Sequence, residues 1–395
     1  MTMAAAMESR TVDALTRSKA SRIATVEIIS DLGRAEADWR RLEDTGSLST
    51  PYQRYDLLAP WQRLLGEREG CRPFIVIAYD AEHRPLLLLP LVCHQTFGIG
   101  VASFMGGKHT TFNMGLWNAA FAAQATAADL DALLSGLRAN AAADVLAMTQ
   151  QPLRWNDVTN PFALLPKQPS VNGCPLLLMT PGGEPATHIS NSFRRRLKSK
   201  ERKLQALPGY RYHLASTDAD VTRLLDWFFR IKPMRMSEQK LPNVFAEPGV
   251  EDFIRSACLT RCGEGRIIDI HALECDEEVI AVFAGITDGH RFSMMFNTYT
   301  MSASSRHSPG LILIRYIIDG CAERGHSAFD LGIGTDEYKR LFCKHDEETF
   351  DSFIPITARG RVAAAAMSAL NRGKRLVKQD RMLFGLAQKL RGAFQ

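Results

Sequence analysis

The chain has 395 residues, 46% apolar and 23% charged, with a formal net charge of +5. That length exceeds what one hydrophobic core usually serves and predicts two domains, while so mild a charge names no partner until the charges are located. The longest apolar run, 85–93, is about half the ~20 residues of a spanning helix, which excludes a transmembrane segment. The eight cysteines are scattered and never form Cys-x-x-Cys. They read as reduced thiols of a cytoplasmic protein.

Residues 1–22 hold Ser, Thr, Arg and small residues without an apolar core and read as a disordered leader. A strand at 25–30 and a helix at 35–43 follow, then a second helix at 52–65 with Tyr55, Leu58, Trp61, Leu64 and Leu65 on one face. Strands at 73–79 and 85–94 pair as a hairpin, and 97–107 continues their sheet. Thr126 is placed to cap a helix at 127–142, and 144–148 reads as a buried strand. Prolines, asparagines and glycines crowd 151–175, an interdomain crossover. The domains are thus expected at 23–150 and 176–358.

The second half opens with a strand at 176–179 and an Arg-rich helix ending at Leu204. A strand at 210–215, a helix from Asp218, as its N-cap, to 231, a polar Met- and Pro-containing loop at 232–248 and a helix at 250–261 come next. Three antiparallel strands at 266–275, 279–287 and 291–299 are separated by the turns Asp276-Glu277-Glu278 and Asp288-Gly289-His290. Ser308, as N-cap, and Pro309 open a helix with Leu311, Ile314, Ile317 and Ile318 at helical spacing. A strand at 327–331, the turn Gly332-Ile333-Gly334, a helix from Asp336 and a last strand at 349–356 complete the order. The tail, 359–395, is basic and amphipathic, suited to an anionic membrane surface or to docking on the body.

Three features carry chemistry. The helix start at Ser308-Pro309-Gly310 is left open by small residues, with Arg306 and His307 just before it, and could seat a phosphate. Asp330, at the end of an apolar strand, is costly to bury without a partner and is either a general base or a turn cap. The helix 193–204 carries Arg194, Arg195, Arg196, Lys198, Lys200, Arg202 and Lys203 against Glu201 alone, which points to an anionic partner. It lacks interleaved aromatics, so nucleic acid is not expected. His271, His307 and His326 are further base candidates. No P-loop, Gly-x-Ser-x-Gly elbow or His-Glu-x-x-His is present, and no metal is expected.

SPG opening a helix, FDLGIGTDEYK after a strand and HISNSFRRRLKSKERKL upstream resemble the cellulose- and exopolysaccharide-associated acetyltransferases (CelD/BcsL-like), a branch of the GNAT N-acyltransferases. The common GNAT loop Arg/Gln-x-x-Gly-x-Gly/Ala is absent. The resemblance implies an α/β fold of tandem GNAT-like domains, with mixed central sheets flanked by helices. It further implies transfer of an acetyl or acyl group from acyl-CoA to an amine on a sugar or small metabolite. Tyr338, Asp330 and Lys339 would be catalytic, Tyr338 protonating the leaving thiolate. Arg306, His307, Ser308, Gly310 and Leu311 would hold acetyl-CoA or another acyl-CoA, and His188, Arg195 and Lys198 the substrate. An acyl carrier protein is an alternative donor, and the enzyme would be cytoplasmic or peripheral at the inner membrane through 360–395. Two other readings stay open: a Fem-like aminoacyl-tRNA-dependent ligase, and a non-catalytic membrane-surface subunit of a polysaccharide machine.

Overall fold

Two mixed sheets organise the computed structural model, which describes residues 21–44, 46–140, 143–263, 265–334 and 336–379. The first half supplies β1 (Thr25–Ile29), α1 (Leu32–Asp44), α2 (Tyr55–Trp61), β2 (Arg72–Tyr79), β3 (Pro85–Thr96), β4 (Ile99–Phe104), α3 (Ala127–Asn140) and β5 (Val145–Pro152). The crossover holds β6 (Gln168–Pro169) and β7 (Cys174–Leu178). Then come α4 (Asn191–Leu204), β8 (Arg211–Leu214), α5 (Asp218–Glu238), α6 (Val250–Leu259), β9 (Ile268–Glu274), β10 (Val279–Thr287) and β11 (Arg291–Tyr299). The chain closes with α7 (Pro309–Glu323), β12 (Ala328–Asp330), β13 (His345–Glu347), β14 (Thr349–Pro355) and α8 (Ala358–Gln379).

The first sheet runs β1-β2-β3-β4-β5-β14-β6 and the second β8-β9-β10-β11-β12-β7-β13. In each, four antiparallel strands meet a parallel neighbour, β4 against β5 and β11 against β12. Val/Ile/Leu runs such as β2 and β10 are buried almost end to end, as strands covered on both faces must be. The expected tandem GNAT-like α/β architecture is therefore present.

The strand at 349–356, expected in the second unit, is instead part of the first sheet. β14 pairs antiparallel with β5, Phe353 opposite Ala147 and Ile354 opposite Leu146. Phe350 and Ile354 lie in the first core. Conversely β7, which follows the first unit in the chain, pairs with β12 of the second. The units thus exchange their closing strands.

Two local expectations also change, and the tail takes one of the two placements open to it. The loop expected at 232–248 begins as helix: α5 continues through Pro233 to Glu238, held by the buried Met236. The cap of α5 is Thr217, whose hydroxyl accepts from the Asp220 N–H. The tail is docked over its first turns, where Ala363, Ala364 and Met367 of α8 pack with Val101, Val145 and Phe353 and Arg359 donates to Asp144 at 2.6 Å. Residues 380–395, and the leader up to residue 20, lie outside the described residues; Arg22 is already tied to Asp129 at 3.1 Å. Among the described residues no helix is long and apolar enough to cross a membrane.

Burial gives the fold an acid limit. His271 of β9 is fully buried, accepting or donating one hydrogen bond with Tyr212, and burial pushes its pKa down to about 3. An ordinary histidine titrates near 6.5, so the stability that His271 contributes is complete above that pH and is lost as pH falls toward its folded value. At pH 5 the loss is about 2 kcal/mol. Urea midpoints at pH 7 and 5 should show it, and His271→Met should flatten the slope.

Candidate active site

β11 and β12 pair in parallel only from Arg291–Ala328 to Ser293–Asp330. β12 then ends, whereas β11 runs on to Tyr299, so the edge of β11 beyond Ser293 has no ladder partner from β12. A bulge between Ala284 and Gly285 of β10 and the facing β11 residues adds local twist where the strands part. Gly285 is required there, since a Cβ would come within 2.4 Å of the Phe292 ring.

A cavity of about 270 Å³ occupies the opening. Phe283, Leu311 and Ile314 give it an apolar wall; Asn297, Tyr299 and Tyr338 face in from β11 and from the 3-10 turn Glu337–Leu341. Ser308 and Gly310, at the start of α7, close one end. Tyr338 is half-buried, its hydroxyl bonded to Asn297 and 4.0 Å from the Met294 sulfur, and burial raises its pKa to about 12. It therefore holds its proton throughout the physiological range.

The start of α7 is open to an anion. Ser308 stands at the cap position but in the left-handed region, φ 55°, and its side chain caps nothing. Its hydroxyl instead accepts from the Lys200 ammonium at 2.7 Å. This reverses the expected capping role. A non-glycine residue held at positive φ costs about 1–3 kcal/mol, which the surrounding structure must offset. Pro309 carries no N–H, and the first turn holds no acidic residue. A Cβ on Gly310 would meet only the Tyr299 ring, at 3.5 Å. Arg306 is exposed beside His307, whose pKa is lowered by burial and by Arg306, Lys203 and Lys200. These residues fit the phosphates of a coenzyme A thioester.

Among the described residues, the corresponding helix start in the first unit is already occupied. That helix, α3, lies between β4 and β5 as α7 lies between β11 and β12. Asp129 of its first turn accepts from the N–H groups of Thr126 and Arg22 at 2.9 and 2.8 Å, and the Thr126 hydroxyl accepts from the Asp129 N–H. A buried carboxylate of the chain's own already occupies the place an anion would take.

Other expected residues are not gathered around the cavity. Asp330 is fully buried, accepting from Arg291 Nε at 2.8 Å, Ser293 Oγ at 2.5 Å and the Gly332 N–H at 3.0 Å. A carboxylate so occupied is a framework anion rather than a free base. Lys339 is buried and donates to the carbonyls of Ile333 and Gly332 at 2.8 and 3.2 Å, with its pKa lowered by burial. Both hold the loop that carries Tyr338, and neither lines the cavity. His188 is half-buried beside Arg194, away from the opening. Arg195 and Lys198 lie on the outer face of α4. His326 pairs with the Thr287 hydroxyl at 3.0 Å, and His271 is core.

The residues that sequence reasoning passed over are Asn297, Tyr299 and two from α5. Lys232 donates to the Asn297 carbonyl at 3.0 Å, and Arg235 stacks 3.5 Å from the Tyr299 ring centroid. Asn297 and Tyr299 share one face of the strand by their period-two spacing, which marks them as a pair.

Comparison with known proteins bears on this geometry. Residues 191–340 match the family described as Acetyltransferase (GNAT) domain. Comparison with curated proteins gives no match. Among solved structures, a conserved protein of unknown function from Bacteroides thetaiotaomicron superposes with a TM-score of 0.53 at 12% identity, over 83% of this chain and 99% of that one. FemX gives 0.53 at 8% identity, over 83% and 97%. Residues 191–340 are thus similar to the GNAT acetyltransferase domain, within a chain whose two sheets both follow a GNAT-like plan.

Proposed function

We propose that the second unit transfers an acetyl or other acyl group from acyl-CoA to an amine acceptor. The observation that carries this reading is the cavity at the divergence of β11 and β12, with an uncapped helix start at one end and a protonated tyrosine on its wall. Bound acyl-CoA would supply the activated thioester. Gly310 and Ser308, with Lys200 behind them, would hold its phosphates, and Leu311 would line its arm. As the amine forms the new C–N bond and the C–S bond breaks, Tyr338 gives its proton to the departing sulfur; the proton shed by the amine restores the phenol. Asn297 orients Tyr338, and Arg291–Asp330 and Lys339 hold its loop. The acceptor would be a sugar or small metabolite amine in exopolysaccharide or cellulose assembly, a context resting on the resemblance of the SPG and FDLGIGTDEYK stretches.

The first test is Gly310→Glu. The space at Gly310 admits a Cβ, so the protein should keep its melting temperature while the new carboxylate repels the phosphates. Calorimetry should show acetyl-CoA affinity falling at least about tenfold, with Gly310→Ala close to the parent. Unchanged affinity in the folded Glu variant would place the donor elsewhere. Binding of aminoacyl-tRNA instead of acetyl-CoA would favour the Fem-like reading.

A further inference from the structure

The basic charge of α4 lies on one side and is not neutralised by the protein. Phe193, Leu197 and Leu204 face the core, and the helix's single acid, Glu201, turns inward to Arg315 at 2.8 Å. Arg194 is likewise spent, bidentate on Asp319 at 2.7 and 2.8 Å. What remains outward is Arg195, Lys198 and Arg202, spaced i, i+3, i+7 on the side opposite the buried stripe, exposed and without an ion-pair partner among the described residues.

One flank of this face meets the acyl site. At its C-terminal end Lys200 reaches Ser308, and Lys203 contributes to the field on His307. At the other end Arg196 shares a shallow pocket with Ser190, Ser192, Lys344 and Leu341, the last more than one-third exposed at 37%. Leu341 belongs to the same 3-10 turn as Tyr338. The cationic row rises about 10 Å along α4 and runs from an apolar foothold to the mouth where a phosphate would seat.

Resting on the acyl-transfer reading above, we propose that the α4 face docks an acidic acyl carrier protein, whose phosphopantetheine arm delivers the thioester past Ser308. A row of cations about two turns long, ending in an exposed leucine, complements the acidic face of an amphipathic helix. A nucleic acid would use the cations but has no use for the leucine, and the face presents no aromatic for a base to stack on. The docking places the arm's phosphate, rather than a nucleotide, at the start of α7.

The test compares the parent with Arg195→Glu/Lys198→Glu/Arg202→Glu, all exposed positions outside the cavity. Binding would be measured for a purified acetyl-loaded acyl carrier protein, acetyl-CoA, acetyl-3′-dephospho-CoA and a tRNA at low and high salt. The expected result is carrier-protein binding that weakens as salt rises and falls tenfold or more in the triple variant, with both CoA thioesters unaffected. Equal carrier binding by parent and variant, or none by a parent that binds acetyl-CoA, overturns the proposal. A loss confined to acetyl-CoA over its dephospho analogue would show that α4 reads the nucleotide's 3′-phosphate and would overturn it too. So would salt-sensitive tRNA binding lost in the variant. A parent that binds neither thioester nor carrier defeats the acyl-transfer reading itself.

Discussion

Tyr338→Phe is expected to lower kcat about 10²-fold while leaving acetyl-CoA affinity within twofold of the parent. General acid–base help is typically worth about 10²–10⁴-fold, and a thiolate is already a tolerable leaving group, so the lower end applies. The phenyl ring keeps the cavity wall, and the lost hydroxyl touches Asn297 and Met294 rather than the helix start where the donor's phosphates would sit. Because burial raises the Tyr338 pKa to about 12, the parent's rate should show no tyrosine ionisation below pH 10. Pre-steady-state acetyl transfer, with calorimetry on the same variant, separates the outcomes. Full activity would reduce the tyrosine to packing, and lost affinity with intact turnover would make it a donor contact.

Arg291→Met should destabilise the protein by about 3–5 kcal/mol, because it strands two buried carboxylates. Arg291 bonds Asp330 at 2.8 Å and Glu347 at 2.5 Å, and its guanidinium lies 4.5 and 4.7 Å from the ring centroids of Phe112 and Trp155. Those rings come from residues preceding β7, so one side chain both neutralises the base of the site and clasps the two units. Burial already raises the Glu347 pKa in the parent. Without Arg291 the Glu347 carboxyl would prefer its proton still more, and a group whose folded pKa is raised gains stability as pH falls. The variant's deficit should therefore shrink between pH 8 and 5 in urea titrations. A deficit independent of pH would mean that only packing had been lost.

The helix–strand–turn order after Ser308 was legible because each boundary carries its own punctuation: Pro309 at a helix start, Gly325 after its end, and Gly332 and Gly334 around the turn. The three strands β9 to β11 were legible for the same reason. What lay beyond reach depends on partners far along the chain. Period and composition make β14 a strand, but its place beside β5 is decided by where Phe350 and Ile354 find a core. Asp330 reads as a costly buried acid until Arg291 is found beside it on the neighbouring strand. Ser308 reads as a cap because serine usually is one, and Lys200, distant in sequence, diverts its hydroxyl. Pro233 looked like a helix breaker, but the buried Met236 a turn later holds α5 together and brings Lys232 and Arg235 over β11.

The exchange of β7 and β14 bears on how the chain is made. A first sheet that needs β14 between β5 and β6 cannot close while the ribosome is still short of Pro355. The N-terminal half must wait until β14 has been made with the β5 edge unpaired, an exposure that invites self-association. Emergence of β14 then closes the first core, and α8 lies across the seam. Synthesis order, rather than either half's own stability, would set when the fold is first complete.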